Sequence, residues 1–291
     1  MSRIKNLIIG TLVLLLMQFG LAGCSSVRLA YNNAPQLVWW WLDGYVDFSR
    51  EQTPQVKQGI DGLFDWHRST QLPDYLPLLA AAQAQLLEPT TPAMACRWQE
   101  QVREKLEPTL QRTLVLAAEL LPGLGEAQFK HIEQRYAKGN DEMRQEFLQA
   151  DADERQTASY KRALERAERL YGRLGDLQKK VVRDGVAVSP FDAALWLKER
   201  QRRQRVVLTT LRRLAAERAD ADHRLAALRV LVAQTERSTD ATYRAYQVKL
   251  ADYNCTLAAQ IHNATTQAQR LKGRDTLKGW EADLRSLIAA N

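Results

Sequence analysis

The sequence predicts an all-α protein: a single elongated bundle of long, mostly antiparallel helices behind a cleaved N-terminal leader. Three observations carry this prediction. Apolar residues recur at three- and four-residue steps almost throughout the 291 residues, and no stretch alternates convincingly with period two. Two segments hold such a stripe over several turns. Ala163, Ala167, Leu170, Leu174, Leu177 and Val181 step 4-3-4-3-4 along one face, and Tyr243, Tyr246, Leu250, Tyr253, Leu257, Ile261 and Ala264 do nearly the same. Stripes of this spacing suit helices packed side by side at shallow angles. The helical runs are also punctuated. Thr53-Pro54, Thr91-Pro92 and Ser189-Pro190 each set a capping residue before a proline fit for a first turn, while Gly123, Gly139-Asn140 and Gly185 read as stops.

At the N-terminus, Arg3 and Lys5 precede an apolar run from Leu7 to Phe19 that is too short to span a bilayer comfortably. The segment ends Leu21-Ala22-Gly23-Cys24, which resembles the lipobox of bacterial lipoproteins. The resemblance implies cleavage before Cys24, a diacylglycerol on its thiol and an acyl chain on its new amino group. Two or more acyl chains make a stable anchor, each buried methylene adding roughly 0.8 kcal/mol. The next residue is Ser25 and not Asp, which by the sorting rule of enterobacterial lipoproteins favours the outer membrane of a Gram-negative cell, on its periplasmic face. The organisation expected is residues 1–23 as signal peptide, 24–35 as lipidated cysteine and short tether, and 36–291 as a helical periplasmic domain. Fully extended, that tether reaches about 40 Å. No Gly/Ser- or Pro-rich linker divides the domain.

Removing residues 1–23 takes away two of the 41 basic residues and no acid, leaving 39 against 34 and a net charge of +5. Such a balance suits anionic neighbours in the envelope, either lipid headgroups or peptidoglycan carboxylates, and a periplasmic address excludes nucleic acid. With Cys24 given to lipid, Cys96 and Cys255 remain. In an oxidising compartment two cysteines are most simply one disulfide, with two buried thiols as the alternative.

The stretch LVWWWLDGY, Leu37 to Tyr45, is the most unusual in the chain. On a helix, Leu37, Trp40, Trp41, Gly44, Tyr45 and Phe48 form one stripe and Trp39, Leu42 and Val46 a second, leaving a narrow polar strip of Asp43, Asp47 and Arg50. A helix apolar over most of its circumference is expected between other elements, with Gly44 allowing close approach of a partner. A membrane-interface position for at least one indole is the other reading. Asp43 and Asp47, four residues apart, repel one another and need a cation or a shared proton. Arg50, His67 and Arg68 are the candidates nearest in sequence, either as a structural ion network or, with His67, for acid–base work. Tyr31-Asn32, Leu42-Asp43-Gly44-Tyr45-Val46-Asp47, Trp66-His67-Arg68 and Leu72-Pro73-Asp74-Tyr75 resemble a family of uncharacterised proteobacterial lipoproteins, a domain of unknown function, most strongly over residues 24–80. The resemblance implies a lipoprotein with a helical periplasmic domain and no stated activity.

Between Lys198 and Arg213 seven basic residues, Lys198, Arg200, Arg202, Arg203, Arg205, Arg212 and Arg213, face one acid, Glu199. This reads as a solvated helix face or as a patch for lipid phosphates. No nucleophile elbow, zinc-protease, phosphate-loop or dinucleotide signature is present, so no catalytic residue, metal or cofactor is assigned. The expected function is a non-enzymatic binding or scaffold module anchored to the membrane by its acyl chains. Its partner would be another envelope protein, anionic lipid or peptidoglycan. A carrier of a hydrophobic ligand, or an envelope hydrolase using Asp43, Asp47 and His67, are the alternatives.

Overall fold

The computed structural model describes residues 26–290, so the expected signal peptide and Cys24 lie outside the described residues. The described residues are helical nearly throughout, in a bundle without strands. In chain order the helices are α1 (Ser26–Val46), α2 (Thr53–Trp66), α3 (Leu72–Gln85), α4 (Pro92–Leu120) and α5 (Glu126–Phe147). They continue with α6 (Ala152–Tyr171), α7 (Asp176–Ala187), α8 (Ala193–Ala216), α9 (Ala221–Glu236), α10 (Ala241–Asn263) and α11 (Gln267–Ala289). A π-helical turn, His67–Gln71, joins α2 to α3 without a break, and a 3-10 turn, Leu121–Gly123, closes α4.

Side-chain caps start most of the later helices. Thr91, Asp192, Asp220, Asp240 and Thr266 each accept a hydrogen bond from the backbone N–H three residues on, at 2.8–3.2 Å. Each satisfies one of the amides that a helix N-terminus leaves without a partner. The expected start at Ser189-Pro190 therefore falls three residues too early, because Asp192 is the cap.

Three further expectations are corrected. The 4-3-4-3-4 stripe does not lie on one helix. Gly172, at φ 72° and ψ −168°, ends α6 in a conformation open only to glycine, and the chain reverses into α7. Leu174 then drops into the core from the connecting loop while Leu177 stands 83% exposed. Gly139 and Gly185 are not stops but lie inside α5 and α7. At Gly185 an added Cβ would sit 2.2 Å from Leu257 Cδ1, so glycine serves close approach of α10. Finally, α1 begins at Ser26, so most of the stretch expected to be a short tether is helix. Pro35 lies within it, yet contacts from Arg28 to α11 and from Tyr31 to α2 hold its first turns.

Helix α11 packs along α3, α9 and α10 lie on α4, α5 pairs with α8, and α6 pairs with α7. Four apolar clusters form the core of the described residues. Val46, Phe129, Ile132, Leu208 and Leu214 make one, and Tyr171, Leu174, Val182 and Leu277 a second. Trp39, Val56 and Ile60 make a third, Leu114, Ala118 and Leu228 a fourth. Cys96 on α4 and Cys255 on α10 form a disulfide with Cα atoms 5.2 Å apart, clasping positions 159 residues distant in sequence. Closing a loop of that size constrains the unfolded chain by roughly 5 kcal/mol in the chain-entropy account.

Candidate functional site

Helix α1 uses the stripe containing Trp39, Leu42 and Val46 to meet the bundle. Trp39 and Val46 are buried, with Trp39 stacked 6.0 Å from Phe48 and capped by Lys57 Nζ 4.9 Å over its ring. The other stripe, expected to be equally enclosed, is divided: Tyr45 and Phe48 pack against the core, but Leu37 is exposed, Trp40 is 60% and Trp41 62% exposed. Gly44 has nothing within 4 Å of where a Cβ would be, so it admits no partner backbone here. Three consecutive indoles are 100° apart, and α2, α5 and α11 close over one side of α1 only.

The inner side of α1 meets the π-turn through a chain of polar side chains. The Tyr31 hydroxyl lies 2.9 Å from His67 Nδ1, His67 Nε2 lies 3.2 Å from the Tyr75 hydroxyl, and that hydroxyl lies 3.4 Å from Thr109 Oγ1. Beside it the Arg68 guanidinium donates to Asn32 Oδ1 at 3.0 Å and lies 5.2 Å over the Tyr31 ring. The extra residue of a π-turn re-aims the side chains that follow, and such turns recur at functional positions. Burial pushes the Tyr31 phenol up to about 12 against the opposing pull of Arg68, and burial draws His67 below the ordinary histidine value. Both shifts favour the neutral forms of Tyr31 and His67, so one His67 nitrogen donates and the other accepts. A general base needs a lone pair open to substrate. Both His67 nitrogens are engaged by tyrosines, so the arrangement joins α1, the π-turn, α3 and α4.

The expected association of Asp43, Asp47, Arg50, His67 and Arg68 is only half realised. His67 and Arg68 are together, but opposite Tyr31 and Asn32, twelve residues before Asp43 and thus about 18 Å up the helix axis. Asp43 instead accepts the Phe48 N–H at 3.1 Å, and Asp47, exposed at φ 60°, makes the turn out of α1. Arg50 is exposed. Among the described residues no ion pair links either aspartate to the three cations. Nor, among them, does any group of three or more His, Cys, Asp or Glu side chains suit a metal ion.

The basic run on α8 is neither fully solvated nor a free patch. Glu199, 4% exposed, is its hub: it accepts from Arg202 at 2.7 and 2.8 Å, from Arg203 at 2.9 Å and from Ser238 at 2.8 Å. The Arg202 guanidinium, with Arg203 and Ser238, outweighs burial and holds the Glu199 carboxyl at about 2. Arg200 donates to buried Asn140, Arg212 pairs with Glu126 and Glu133 of α5, and Arg213 pairs with Glu217. Lys198 and Arg205 are exposed. Most of the expected anion-binding charge is thus spent within the bundle. Trp196, Tyr136, Arg200 and Arg203 line a shallow groove of about 290 Å³ beside it.

Two junctions escape sequence reasoning because each rests on a residue with no local pattern. Asp283 of α11, 1% exposed, pairs at 3.1 Å with Arg28 at the start of α1, and burial pushes its carboxyl up. His262 Nε2 donates to the Glu88 carbonyl at 2.7 Å, which leaves Nδ1 to accept from the Tyr171 hydroxyl at 2.8 Å.

The fold and its junctions define a disulfide-clasped all-α protein whose first helix is bolted to the bundle on one side and open on the other. Residues 44–244 match a protein family described as a family of unknown function (DUF6279), and the chain belongs to that family. The match takes in the last motifs of the earlier resemblance and extends far past residue 80, through helices that carry no recognisable motif, while Tyr31-Asn32 falls before it. Comparison with curated proteins and with solved structures gave no match.

Proposed function

We propose that the chain is a proteobacterial lipoprotein anchored in the outer membrane by acyl chains on Cys24, with its helical domain on the periplasmic face acting as a non-enzymatic binding or scaffold module. The observation that carries this reading is the division of the three cysteines. Cys96 and Cys255 are bonded to each other, as suits an oxidising compartment, which leaves the lipobox-like Cys24 as the thiol for lipid. Four apolar side-chain clusters that hold the described helices together support a scaffold over a ligand carrier. The hydrolase alternative loses its geometric ground, since Asp43 and Asp47 stand at the other end of α1 from His67. Partners of matching chemistry are another envelope protein, peptidoglycan or anionic lipid.

Metabolic labelling with palmitate, and an inhibitor of lipoprotein signal peptidase, test the reading. Wild-type protein should take up label and accumulate as a slower-migrating precursor under the inhibitor, and Cys24→Ala should do neither. Unlabelled wild-type protein, soluble after cell disruption and indifferent to the inhibitor, would refute it. Stoichiometric lipid released from the delipidated domain in native mass spectrometry would promote the carrier instead.

A further inference from the structure

We propose that the outer face of α1 lies in the headgroup region of the membrane, with Trp40 and Trp41 as interfacial anchors. Every exposed position from Leu29 to Gly44, Leu37, Trp40 and Trp41 among them, is uncharged. Leu29 is 56% exposed and both indoles more so. Charged residues make up 26% of the chain, so an uncharged, solvent-facing stripe four turns long is out of keeping with the rest of the surface. The charged side chains that bound it in sequence, Arg28 and Asp43, are engaged elsewhere. Arg28 faces Asp283, and Asp43 caps Phe48. The groove flanking α1, about 340 Å³, has Lys57 and Asp61 on its α2 side.

The position of this face selects its occupant. The chain before Ser26 holds the apolar run Leu7–Phe19 and then Cys24, two residues from the helix. Whether cleaved and acylated or retained, that segment delivers the start of α1 to a bilayer. Trp40 is fourteen residues along, about 21 Å at 1.5 Å per residue, and α1 is pinned to the bundle by Tyr31 and Arg28 rather than free to swing. A helix lying along the interface with tryptophans on its buried side is a recognised mode of membrane contact, because indole has an apolar body and a polar N–H suited to the headgroup level. A soluble partner protein would gain nothing from the two-residue spacing to Cys24; a lipid surface is already there.

The inference rests on the membrane anchorage proposed above, and its test separates the two. Full-length protein is reconstituted into phosphatidylethanolamine/phosphatidylglycerol vesicles with and without lipids brominated near the headgroup, and tryptophan emission is read after flotation. Wild-type emission should be quenched by the brominated lipids, and the double variant Trp40→Phe/Trp41→Phe should lose at least half of that quenching, although five of seven tryptophans remain. Trp196→Phe, on α8, should keep it. Both changed positions are exposed, and an unaltered melting temperature shows that the fold is kept. A bimane label on Leu37→Cys gives a second readout, its emission shifting to the blue on vesicles. Protein that fails to float refutes the anchorage. Protein that floats with equal fractional quenching in wild type and double variant, and an unshifted label, refutes the docking alone. A dimer in detergent that the double variant dissolves, without quenching by lipid, assigns the face to a second copy and also overturns the proposal.

Discussion

Replacing Glu199 by Gln keeps the shape of the α8 hub and removes its charge, leaving Arg202 and Arg203, each about a quarter exposed, without their counter-ion. The magnitude follows from the carboxyl itself. It is held at about 2 against an ordinary 4.5, and each unit corresponds to about 1.4 kcal/mol. Discounted for the solvent that reaches both guanidinium groups, the hub contributes about 2–3 kcal/mol. In a domain of this size that is a fall in melting temperature of about 4–12 °C at pH 7. The sign also fixes a pH window. A depressed carboxyl stabilises the fold fully above pH 4.5, and the contribution is lost as pH falls from there towards 2. Thermal unfolding of full-length protein in detergent, followed by circular dichroism at pH 7 and in steps from pH 5 to 2.5, should show wild type and Glu199→Gln well apart at neutral pH and converging in acid. Equal stability at pH 7, or two curves that stay parallel to pH 2.5, would show that Glu199 is a solvated surface acid and that the run is the open basic patch its composition suggests.

His262 titrates below its ordinary value because burial disfavours its charge. Stability that depends on its neutral form is therefore complete above pH 6.5 and falls as pH drops below it, and a His262→Gln variant should show a flatter melting profile between pH 7.5 and 5. Gly185→Ala forces a methyl against Leu257 and should cost about 1–3 kcal/mol, whereas Gly44→Ala, facing open space in a helix, should be neutral or stabilising by up to about 1 kcal/mol; chemical denaturation of both distinguishes them. Asp47→Gly should stabilise slightly, since glycine takes φ 60° without strain, while Asp43→Ala should cost about 1 kcal/mol through the lost cap on Phe48; the opposite order would restore the charged cluster expected from sequence. Non-reducing peptide mapping should yield one crosslinked pair containing Cys96 and Cys255, and two freely alkylated thiols would contradict the clasp.

The sequence by itself determined the helical class, because period 3.6 and its punctuation are local properties. Thr91-Pro92 starts a helix with the threonine as its cap, and Cys96 and Cys255, the pair expected to bond, do so, whereas Thr53 enters as the first helical residue and donates to the Ser49 carbonyl instead of capping. It also placed Tyr31, Asn32, His67, Arg68 and Tyr75 among the informative motifs, though as separate fragments. What it could not determine was which neighbours cover which face. A helical wheel finds two apolar stripes on α1 but not that α2, α5 and α11 close over only the one holding Trp39 and Val46, leaving Trp40 and Trp41 outside. A charge count between Lys198 and Arg213 gives a strong basic excess, yet Glu126 and Glu133, some seventy to ninety residues earlier, neutralise Arg212 across the bundle. Gly172 and Gly185 are the same residue type thirteen positions apart, and one reverses the chain while the other lets Leu257 approach. Spacing records what a residue does to its own backbone; pairing across the bundle depends on contacts far apart in sequence, and only the packed helices decide those.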